Sequence, residues 1–340
     1  MKTILVTGGL GFIGSHTVVE LQNSGFKVIV IDDLSNSRIE VLDSITKITG
    51  TKPNFHKVDL RNKKEVKNFF DLNTIDGIIH FAAFKAVGES VEKPLEYYEN
   101  NIGSLVYLLQ EMRDRNLDNF IFSSSCTVYG QADKLPITEN APIKPAESPY
   151  GNTKQIGEEI IKDSCNAHKL NAIALRYFNP IGAHESIEIG ELPLGIPQNL
   201  IPYVTQTAAG IRSQLSVFGD DYETPDGTAI RDYIHVVDLA KAHIAALKRL
   251  LNKDNESNFE HYNIGTGKGT SVLEIITAFQ NSTGKALNYK TVERRAGDVT
   301  AAYADTTIAN EKLNWKTEKT LEEALKSAWN WQEKQSNNHS

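Results

Sequence analysis

The chain has 340 residues, a formal net charge of −7 and two cysteines, Cys126 and Cys165. Because it is acidic and has no basic run, we expect no nucleic-acid partner. Two cysteines cannot form a disulfide framework or a cysteine-based metal site, so we predict no metal and a reducing, cytoplasmic location. The first strand pattern begins at residue 2 and no apolar run is long enough to span a bilayer, so we expect neither a signal peptide nor a membrane partner.

A glycine-rich turn follows the first strand pattern, which covers residues 2–7. Gly8, Gly11 and Gly14 stand between this apolar run and an amphipathic helical pattern. In a dinucleotide-binding turn, such glycines permit the tight bend, the approach of a pyrophosphate and close packing of helix on strand. The free N–H groups at the start of the helix would then face an anion. The alternative is a strand-to-helix turn that binds nothing.

A second strand pattern, residues 27–31, ends at Asp32 and Asp33, about 20 residues after the glycines. A carboxylate there accepts hydrogen bonds from ribose hydroxyls and repels a 2′-phosphate. The position therefore predicts NAD as the cofactor and disfavours NADP.

Strand and helix patterns then alternate along the chain. Strands are predicted at 54–58, 77–81, 119–123 and 171–177, with helices at 63–72, 94–115 and 150–165 between them. The alternation predicts an α/β fold, a Rossmann-type doubly wound parallel sheet. Ligands bind such sheets beyond the carboxyl ends of the strands, so chemistry is expected in the segments that follow them.

The sequence texture changes near Pro180. Residues 182–202 are rich in Gly and Pro and predict a long loop, and helices are predicted at 199–209, 237–251, 271–281 and 320–331. Capping boxes begin the last two, at Ser271 and Thr320. We predict an NAD-binding domain at 1–180 and a second, smaller α/β substrate lobe at 181–340, with a soft boundary that segments can cross back.

A tyrosine and a lysine open the helix predicted at 150–165. Tyr150 and Lys154 are four residues apart, which places both on one helix face. An ammonium there favours phenolate over phenol, provided that the pair is partly desolvated. The pair follows a serine cluster, Ser123 to Ser125, at the end of the fifth strand. One of these hydroxyls could bridge a substrate and Tyr150, or the cluster could be a polar strand end that bonds its own backbone.

Together these motifs are similar to the extended short-chain dehydrogenase/reductase superfamily. Within it, three segments resemble the UDP-glucose 4-epimerase family: residues 123–130 (SSSCTVYG), 175–180 (LRYFNP) and 231–236 (RDYIHV). The resemblance extends from Thr3 to the final helix. The family commonly has alanine at the position of Cys126, which we interpret as a packing residue.

The resemblance implies a role for particular residues. Tyr150 corresponds to the general base, Lys154 to its activator and a ligand of the nicotinamide ribose, and Ser125 to the serine that bonds the sugar 4-hydroxyl. The cofactor positions are Gly8, Gly11, Phe12, Ile13, Gly14, Asp32, Asp33, Leu34, Ser35, Asn36, Ser37, Asp59, Leu60, Phe81, Ala82, Ala83, Phe84, Lys85, Asn100 and Phe178, besides the catalytic three. The nucleotide-sugar positions are Asn179, Asn199, Leu200, Ser216, Val217, Phe218, Arg231, Tyr233, Arg295, Asp298 and Ala302, besides Ser125 and Tyr150.

The implied activity is reversible epimerisation at C4 of UDP-glucose and UDP-galactose, through a transient 4-keto sugar and with tightly bound NAD. Relatives restricted to these two sugars tend to have tyrosine at the position of Ala302. Alanine there leaves room for an acetamido group, so activity on UDP-GlcNAc and UDP-GalNAc is expected as well. The resemblance also implies a homodimer, in which we expect residues 94–115 and 150–165 to pair with their symmetry mates.

Two alternatives compete with this interpretation. One is another NAD-dependent nucleotide-sugar enzyme, a 4,6-dehydratase or a decarboxylase. Dehydratases of the superfamily have an Asp-Glu pair just after the serine strand, where this chain has Thr127 and Val128. The other alternative is a non-catalytic NAD-sensing protein, since a fold does not fix a function. Such a protein would not need Ser125, Tyr150 and Lys154 in register.

Overall fold

The computed structural model describes residues 1–295 and 297–337. β-strands occur from residue 3 to residue 302 of the chain. They are β1 (Thr3–Thr7), β2 (Lys27–Asp32), β3 (Asn54–Lys57), β4 (Gly77–His80), β5 (Asn119–Ser123), β6 (Asn171–Tyr177), β7 (Asn179–Ile181), β8 (Leu215–Phe218), β9 (Ile230–Arg231), β10 (Tyr233–His235), β11 (Phe259–Ile264), β12 (Thr270–Ser271), β13 (Tyr289–Val292) and β14 (Ala301–Ala302).

The helices alternate with the strands through the first half of the chain. They are α1 (Phe12–Asn23), α2 (Val41–Thr49), α3 (Lys63–Leu72), α4 (Val87–Glu92), α5 (Pro94–Tyr98), α6 (Ser104–Arg115), α7 (Pro149–Ala167), α8 (Leu200–Ala208), α9 (Val236–Asn252), α10 (Val272–Thr283), α11 (Thr307–Leu313) and α12 (Leu321–Asn337). A π-turn, Glu99–Gly103, joins α5 to α6, and a 3₁₀ turn, Cys126–Tyr129, follows β5.

A parallel sheet forms the centre of the fold. Within the described residues it has seven strands in the order β11-β6-β5-β4-β1-β2-β3. Apolar clusters cover both faces: Val18 and Leu247 lie in one, Leu105 and Ile161 in the other. Strand β1 pairs with β2 on one side and with β4 on the other, so the direction in which successive strands are added to the sheet reverses at β1. This is the doubly wound Rossmann-type sheet that the alternating pattern predicted.

Several predicted elements match the structure to the residue. They are β5, β6 and α3, predicted at 119–123, 171–177 and 63–72. The helix predicted at 94–115 exists, but the π-turn interrupts it, so the single α-helix was wrong in detail. Helix α2 was not predicted, although its apolar Leu42 and Ile45 are buried and Gly50 ends it at φ 71°.

Two elements from the second half of the chain belong to the first sheet. Strand β11 pairs in parallel with β6, from Phe259 opposite Ala172 to Ile264 opposite Tyr177. Helix α9 covers the sheet beside α1, with Leu239 and Leu247 in the same apolar cluster as Val18. A division of the chain at residue 180 therefore separates these two elements from the sheet that they complete.

Most of the remaining elements surround a separate apolar cluster, which includes Ile201 of α8, Phe279 of α10 and Trp329 of α12. Short strand pairs border it: β7 with β10, β8 with β13, and β9 between β12 and β14. Both predicted capping boxes are present: the N–H of Glu274 donates to Ser271 Oγ at 3.1 Å and that of Glu323 to Thr320 Oγ1 at 3.1 Å. No helix in the described part of the chain is long and apolar enough to cross a membrane.

Candidate active site

A cleft of about 1540 Å³ lies beyond the carboxyl ends of β1, β2 and β4. Gly8, Asp32 and Phe81 follow or end these strands and line it. Its other walls come from α7, through Tyr150 and Lys154, and from the loop before α8. The cleft is thus at the edge of the sheet where the reversal of strand order leaves room for a ligand.

The backbone of the glycine turn lies so close to its neighbours that side chains at Gly8 and Gly14 would collide with them. A turn this close-packed is typical of a dinucleotide site. Gly8 has φ +65°, and a Cβ atom on it would lie 2.9 Å from the Ala82 nitrogen. A Cβ atom on Gly14 would lie 2.2 Å from the Gly8 carbonyl oxygen. Helix α1 begins after Gly11 and has no side-chain cap, so its first N–H groups are available to a pyrophosphate.

Asp32 is hydrogen-bonded to two loops that border the cofactor end of the cleft, the glycine turn and the loop after β2. Its carboxylate accepts hydrogen bonds from the N–H of Leu10 at 3.1 Å, the N–H of Leu34 at 3.0 Å and the Ser37 hydroxyl at 2.7 Å. Burial raises the pKa of Asp32, and these hydrogen bonds oppose that rise. Asp33 instead accepts both the N–H and the hydroxyl of Ser35, within its own loop.

Arg61 is a cleft residue that was not predicted from the sequence. It donates from Nε and Nη2 to the two oxygens of Asp59, at 2.9 and 2.8 Å, and its Nη2 lies 3.7 Å from Asp33. The Arg61 guanidinium lowers the pKa of Asp59, chiefly through its side-chain hydrogen bond to that carboxylate. The spacing of two residues from Asp59 is the one signal that could have indicated it.

The first turn of α7 positions the two candidate catalytic residues. Ser148 caps the helix by accepting the N–H of Gly151 at 3.1 Å, and Pro149 occupies its first position. Tyr150 and Lys154 are both buried, with the Lys154 ammonium 5.8 Å from the centre of the Tyr150 ring. The same ammonium donates to the Ser123 carbonyl oxygen at 2.8 Å and lies 4.9 Å from the centre of the Phe122 ring.

Burial governs the pKa of both groups. It raises the pKa of Tyr150 well above its usual range, with a contribution from Tyr177, while a hydrogen bond with Ser125 works in the opposite direction. It lowers the pKa of Lys154 to about 8, against the attraction of Glu158. Without a ligand, therefore, the protein holds Tyr150 as a neutral phenol beside a lysine that has been made easier to deprotonate.

Most of the predicted cofactor residues line this one cleft, but three do not. The Leu34 side chain packs against the apolar core behind the sheet. Ser125 is buried beside Tyr150, to which it is hydrogen-bonded, and it accepts the N–H of Thr127 at 3.2 Å. Phe178 packs into a small apolar cluster, and its neighbour Tyr177 lines the cleft instead.

The predicted nucleotide-sugar residues form a second group, and of them only Tyr150 and Asn199 line the cleft. Arg231 and Arg295 both reach Asp298, at 3.5 and 2.8 Å, and Arg295 lies 5.7 Å from the centre of the Phe218 ring. The other members lie around this group as follows: Asn179 on β7, Leu200 at the start of α8, Ser216 and Val217 on β8, Tyr233 on β10, and Ala302 paired with Arg231. The side chain of Val217 is in the apolar core.

Glu191, in the loop before α8, was also missed. One of its oxygens, Oε1, accepts Lys85 at 3.3 Å and Asn199 at 2.7 Å, so it joins a predicted cofactor residue to a predicted substrate residue. The loop has no periodic pattern from which this could be predicted. Among the described residues, no group of three or more His, Cys, Asp or Glu side chains could hold a metal ion.

Known proteins resemble this chain over nearly its whole length. The family model described as GDP-mannose 4,6 dehydratase matches residues 5–328. A UDP-glucose 4-epimerase of Drosophila melanogaster is 48% identical over 344 residues, covering 99% of this chain and 98% of the relative. The Haemophilus influenzae enzyme of the same name is 49% identical over 330 residues, covering 97% of each.

Solved structures agree with these relatives. The Bifidobacterium longum UDP-glucose 4-epimerase, in complex with NAD+ and UDP, has a TM-score of 0.95 and 46% identity over 99% of both chains. The Stenotrophomonas maltophila enzyme, with bound NAD and formylated UDP-arabinopyranose, has a TM-score of 0.95 and 44% identity over 99% of this chain and 100% of that one. This chain, with its glycine turn, its buried Tyr150 and Lys154 and its arginine pair, belongs to the UDP-glucose 4-epimerase family.

Proposed function

We propose that Tyr150, Lys154 and Ser125 carry out the C4 epimerisation of UDP-glucose and UDP-galactose, the reaction of the family to which this chain belongs. One observation carries the proposal. Tyr150 and Lys154 line the same cleft as the glycine turn, and Ser125 is hydrogen-bonded to Tyr150. A proton acceptor and a dinucleotide site therefore share one cavity.

In this proposal the Tyr150 oxygen takes the proton of the sugar 4-hydroxyl and returns it to the epimerised product. Ser125, already bonded to Tyr150, bonds the same hydroxyl and keeps it in line with the phenol. The Lys154 ammonium favours the phenolate through its buried charge. NAD, when bound, supplies the hydride acceptor and donor for C4 and a further positive charge. The cations are needed because burial alone holds Tyr150 protonated.

The cofactor is held by residues of the cleft that suit its parts. The N–H groups after Gly11 would hold the pyrophosphate, and Asp32 and Asp33 would accept hydrogen bonds from the adenosine ribose. Arg231 and Arg295 suit the diphosphate of the nucleotide sugar, because the guanidinium fork matches phosphate oxygens. Asp298 pairs with both arginines, so the diphosphate would share them with a carboxylate.

A dehydratase reaction, which the name of the matching family model suggests, lacks its acid and base here. At the two positions after Cys126 stand Thr127 and Val128. Val128 is fully buried in an apolar cluster, and Thr127 is half-buried with its hydroxyl out of contact with water. Neither side chain has a carboxyl group to move a proton between C5 and C6. The structure therefore favours epimerisation.

The test is an assay of purified protein on four UDP-sugars, without added cofactor, with the products separated by ion-exchange chromatography. We expect UDP-glucose and UDP-galactose to interconvert, because bound NAD is regenerated in each turnover. Absence of interconversion in protein that carries NAD would overturn the proposal. A 4-keto-6-deoxy product would favour the dehydratase.

We further propose that UDP-GlcNAc and UDP-GalNAc are substrates. Ala302 is the residue that supports this, because its methyl group is small; it belongs to the apolar cluster of Phe178 and Val128 and pairs with Arg231 of β9. A tyrosine there would take up the space beside the C2 substituent of the sugar, which the alanine leaves free for an acetamido group. The same four-sugar assay tests the proposal: no turnover of UDP-GlcNAc would contradict it.

We also propose that the protein is a cytoplasmic homodimer in which α5, α6 and α7 pair with their symmetry mates. Leu95 of α5 and Val91 of α4 support an interface near these helices, because they expose 78 and 62% of their surface. Sedimentation equilibrium tests it: monomer alone at the working concentration would remove the dimer. Fractionation of the source cells tests the compartment.

A further inference from the structure

A buried ion pair lies directly behind the serine segment, outside the cleft. Glu158 is on α7, one helical turn after Lys154, and Arg176 is on β6; they are 7 and 5% exposed. Arg176 donates from Nη2 to Glu158 Oε2 at 2.6 Å and from Nε to Oε1 at 3.0 Å. The same Oε1 accepts the Ser124 hydroxyl at 2.5 Å. The carboxylate is thus fully occupied by an arginine and a serine.

The pair joins the ends of three neighbouring strands. Arg176 also donates from Nη1 to the Tyr129 hydroxyl at 2.9 Å, which in turn donates to Asn263 of β11 at 2.7 Å. Ser124 directly follows β5, so β5, β6 and β11 are linked through one network. The network fixes the backbone of residues 123–125. In this segment the Ser123 carbonyl accepts a hydrogen bond from the Lys154 ammonium, and Ser125 is hydrogen-bonded to Tyr150.

Stability alone is a weak reason for such a pair. Replacing a buried ion pair by apolar residues of similar size is often neutral or stabilising, because both charges lose their hydration. Glu158, however, is four residues after Lys154 and on the same face of α7, where side chains are neighbours. It therefore places a negative charge beside an ammonium that burial disfavours.

The other titratable groups that face Tyr150 and Lys154 do not supply this charge. His80 of β4 faces the ammonium, and burial lowers the pKa of His80 to about 3, so it is neutral. Tyr97 of α5, Cys126 of the 3₁₀ turn and Tyr177 of β6 face Tyr150, and burial raises the pKa of each, so they are neutral too. Among the groups that act on Lys154, Glu158 is the source of negative charge.

We propose that Glu158 is a positioning residue for the epimerisation: it keeps Lys154 protonated through its charge and holds the serine segment through Ser124. This rests on the proposed function, in which the Lys154 cation favours the Tyr150 phenolate. Glu158 acts through Lys154 and Ser124 and does not line the cleft. Its removal is therefore expected to change kcat and its pH dependence while KM for UDP-galactose stays the same.

The test is Glu158→Gln, which removes the charge but keeps an oxygen that can accept the Ser124 hydroxyl. Without the nearby carboxylate, Lys154 loses its proton at lower pH, so the alkaline limb of the kcat profile should move about one pH unit toward acid. Glu159→Gln is the matched control, because it removes the same charge from the next, exposed residue of α7. We expect the control to keep the wild-type profile.

A second variant keeps the test valid if unpaired Arg176 prevents folding. Glu158→Gln with Arg176→Met removes both charges, and we expect it to fold and to retain most of the acid shift, because Glu158, and not Arg176, is the charge that acts on Lys154. If Glu158 has a purely structural role, kcat should fall while the alkaline limb of its pH profile stays in place. That result in either variant, or failure of both to fold, would overturn the proposal. Wild-type protein that turned over no UDP-galactose would instead refute the proposed function.

Discussion

The Lys154 ammonium donates a hydrogen bond to the carbonyl oxygen of Ser123 at 2.8 Å, although the ring of Tyr150 is one helical turn away on the same face of α7. The ammonium lies 5.8 Å from the centre of that ring. The lysine therefore acts on the tyrosine through its buried charge. Because the Ser123 carbonyl ends β5, the position of this charge is set by the sheet and by the cap of α7 together.

Tyr150→Phe should remove most of the turnover and leave the fold intact. The change deletes only the oxygen that takes the proton, and loss of a general base typically costs about 10²–10⁴-fold in rate. The kcat for UDP-galactose and the NAD content of the purified variant are the measurements. A variant with normal NAD and near wild-type kcat would mean that another group is the base.

Lys154→Met should stabilise the cofactor-free protein while abolishing activity. The folded pKa of Lys154 is about 8, below its value of 10.5 in the unfolded chain, so the folded state binds fewer protons between these values. The buried cation then costs about 3 kcal/mol at neutral pH. The Ser123 carbonyl left without its donor costs about 1 kcal/mol, so the net gain is about 2 kcal/mol.

The sign of the pH dependence gives a control for this prediction. The cost of the cation is complete below pH 8 and disappears as the pH rises toward 10.5. Urea unfolding of the apoprotein at several pH values should therefore show the difference between variant and parent shrinking as the pH increases. A variant that is less stable than the parent at pH 7 would contradict the assigned cost.

Asp32→Ala should weaken the retention of NAD more than Asp33→Ala does. Asp32 is the acceptor for Leu10, Leu34 and Ser37, so its loss frees both loops at the ribose end of the cleft as well as removing a ribose acceptor. Asp33 bonds within its own loop. NAD content after purification, together with the relative affinity for NADP, is the measurement. Equal NAD occupancy in Asp32→Ala and the parent would count against the assignment.

Ala302→Tyr should remove activity on the N-acetylated sugars and keep activity on UDP-glucose and UDP-galactose. Overpacking this site costs about 1–3 kcal/mol, which corresponds to a roughly tenfold to hundredfold loss of binding. Ala302→Ser keeps a small side chain and serves as the control. If Ala302→Tyr turned over UDP-GlcNAc as the parent does, this residue would not limit the pocket.

The sequence was sufficient where the signals were local. The bounds of β5 and β6 follow from apolar runs with polar ends, and those of α3 from the helical spacing of its apolar residues. The cofactor end of the cleft follows from Gly8, Gly11 and Gly14. Helix α2 has such a signal too, with Leu42 and Ile45 three residues apart and Gly50 at its end, although it was not predicted.

Other features depend on pairing between distant segments. The residues of β11, FEHYNI, mix polar and apolar groups without strict alternation, and nothing in them indicates β6 as the partner. In sequence, Glu158 is a charged residue near Lys154 that could equally face solvent. Its burial follows only from Arg176, which β6 brings to it, so long-range packing decides what the local pattern leaves open.

The most direct test of the central claim is proton NMR of UDP-galactose incubated with the purified protein in D₂O. If Tyr150 moves the hydroxyl proton while hydride leaves and returns to C4 within one closed site, UDP-glucose should form with hydrogen retained at C4, C3 and C5. Solvent deuterium bound to C4 in the product would show that this hydrogen leaves as a proton. That result would contradict the assignment of hydride transfer to this cleft and the role of Tyr150 as the base for the 4-hydroxyl.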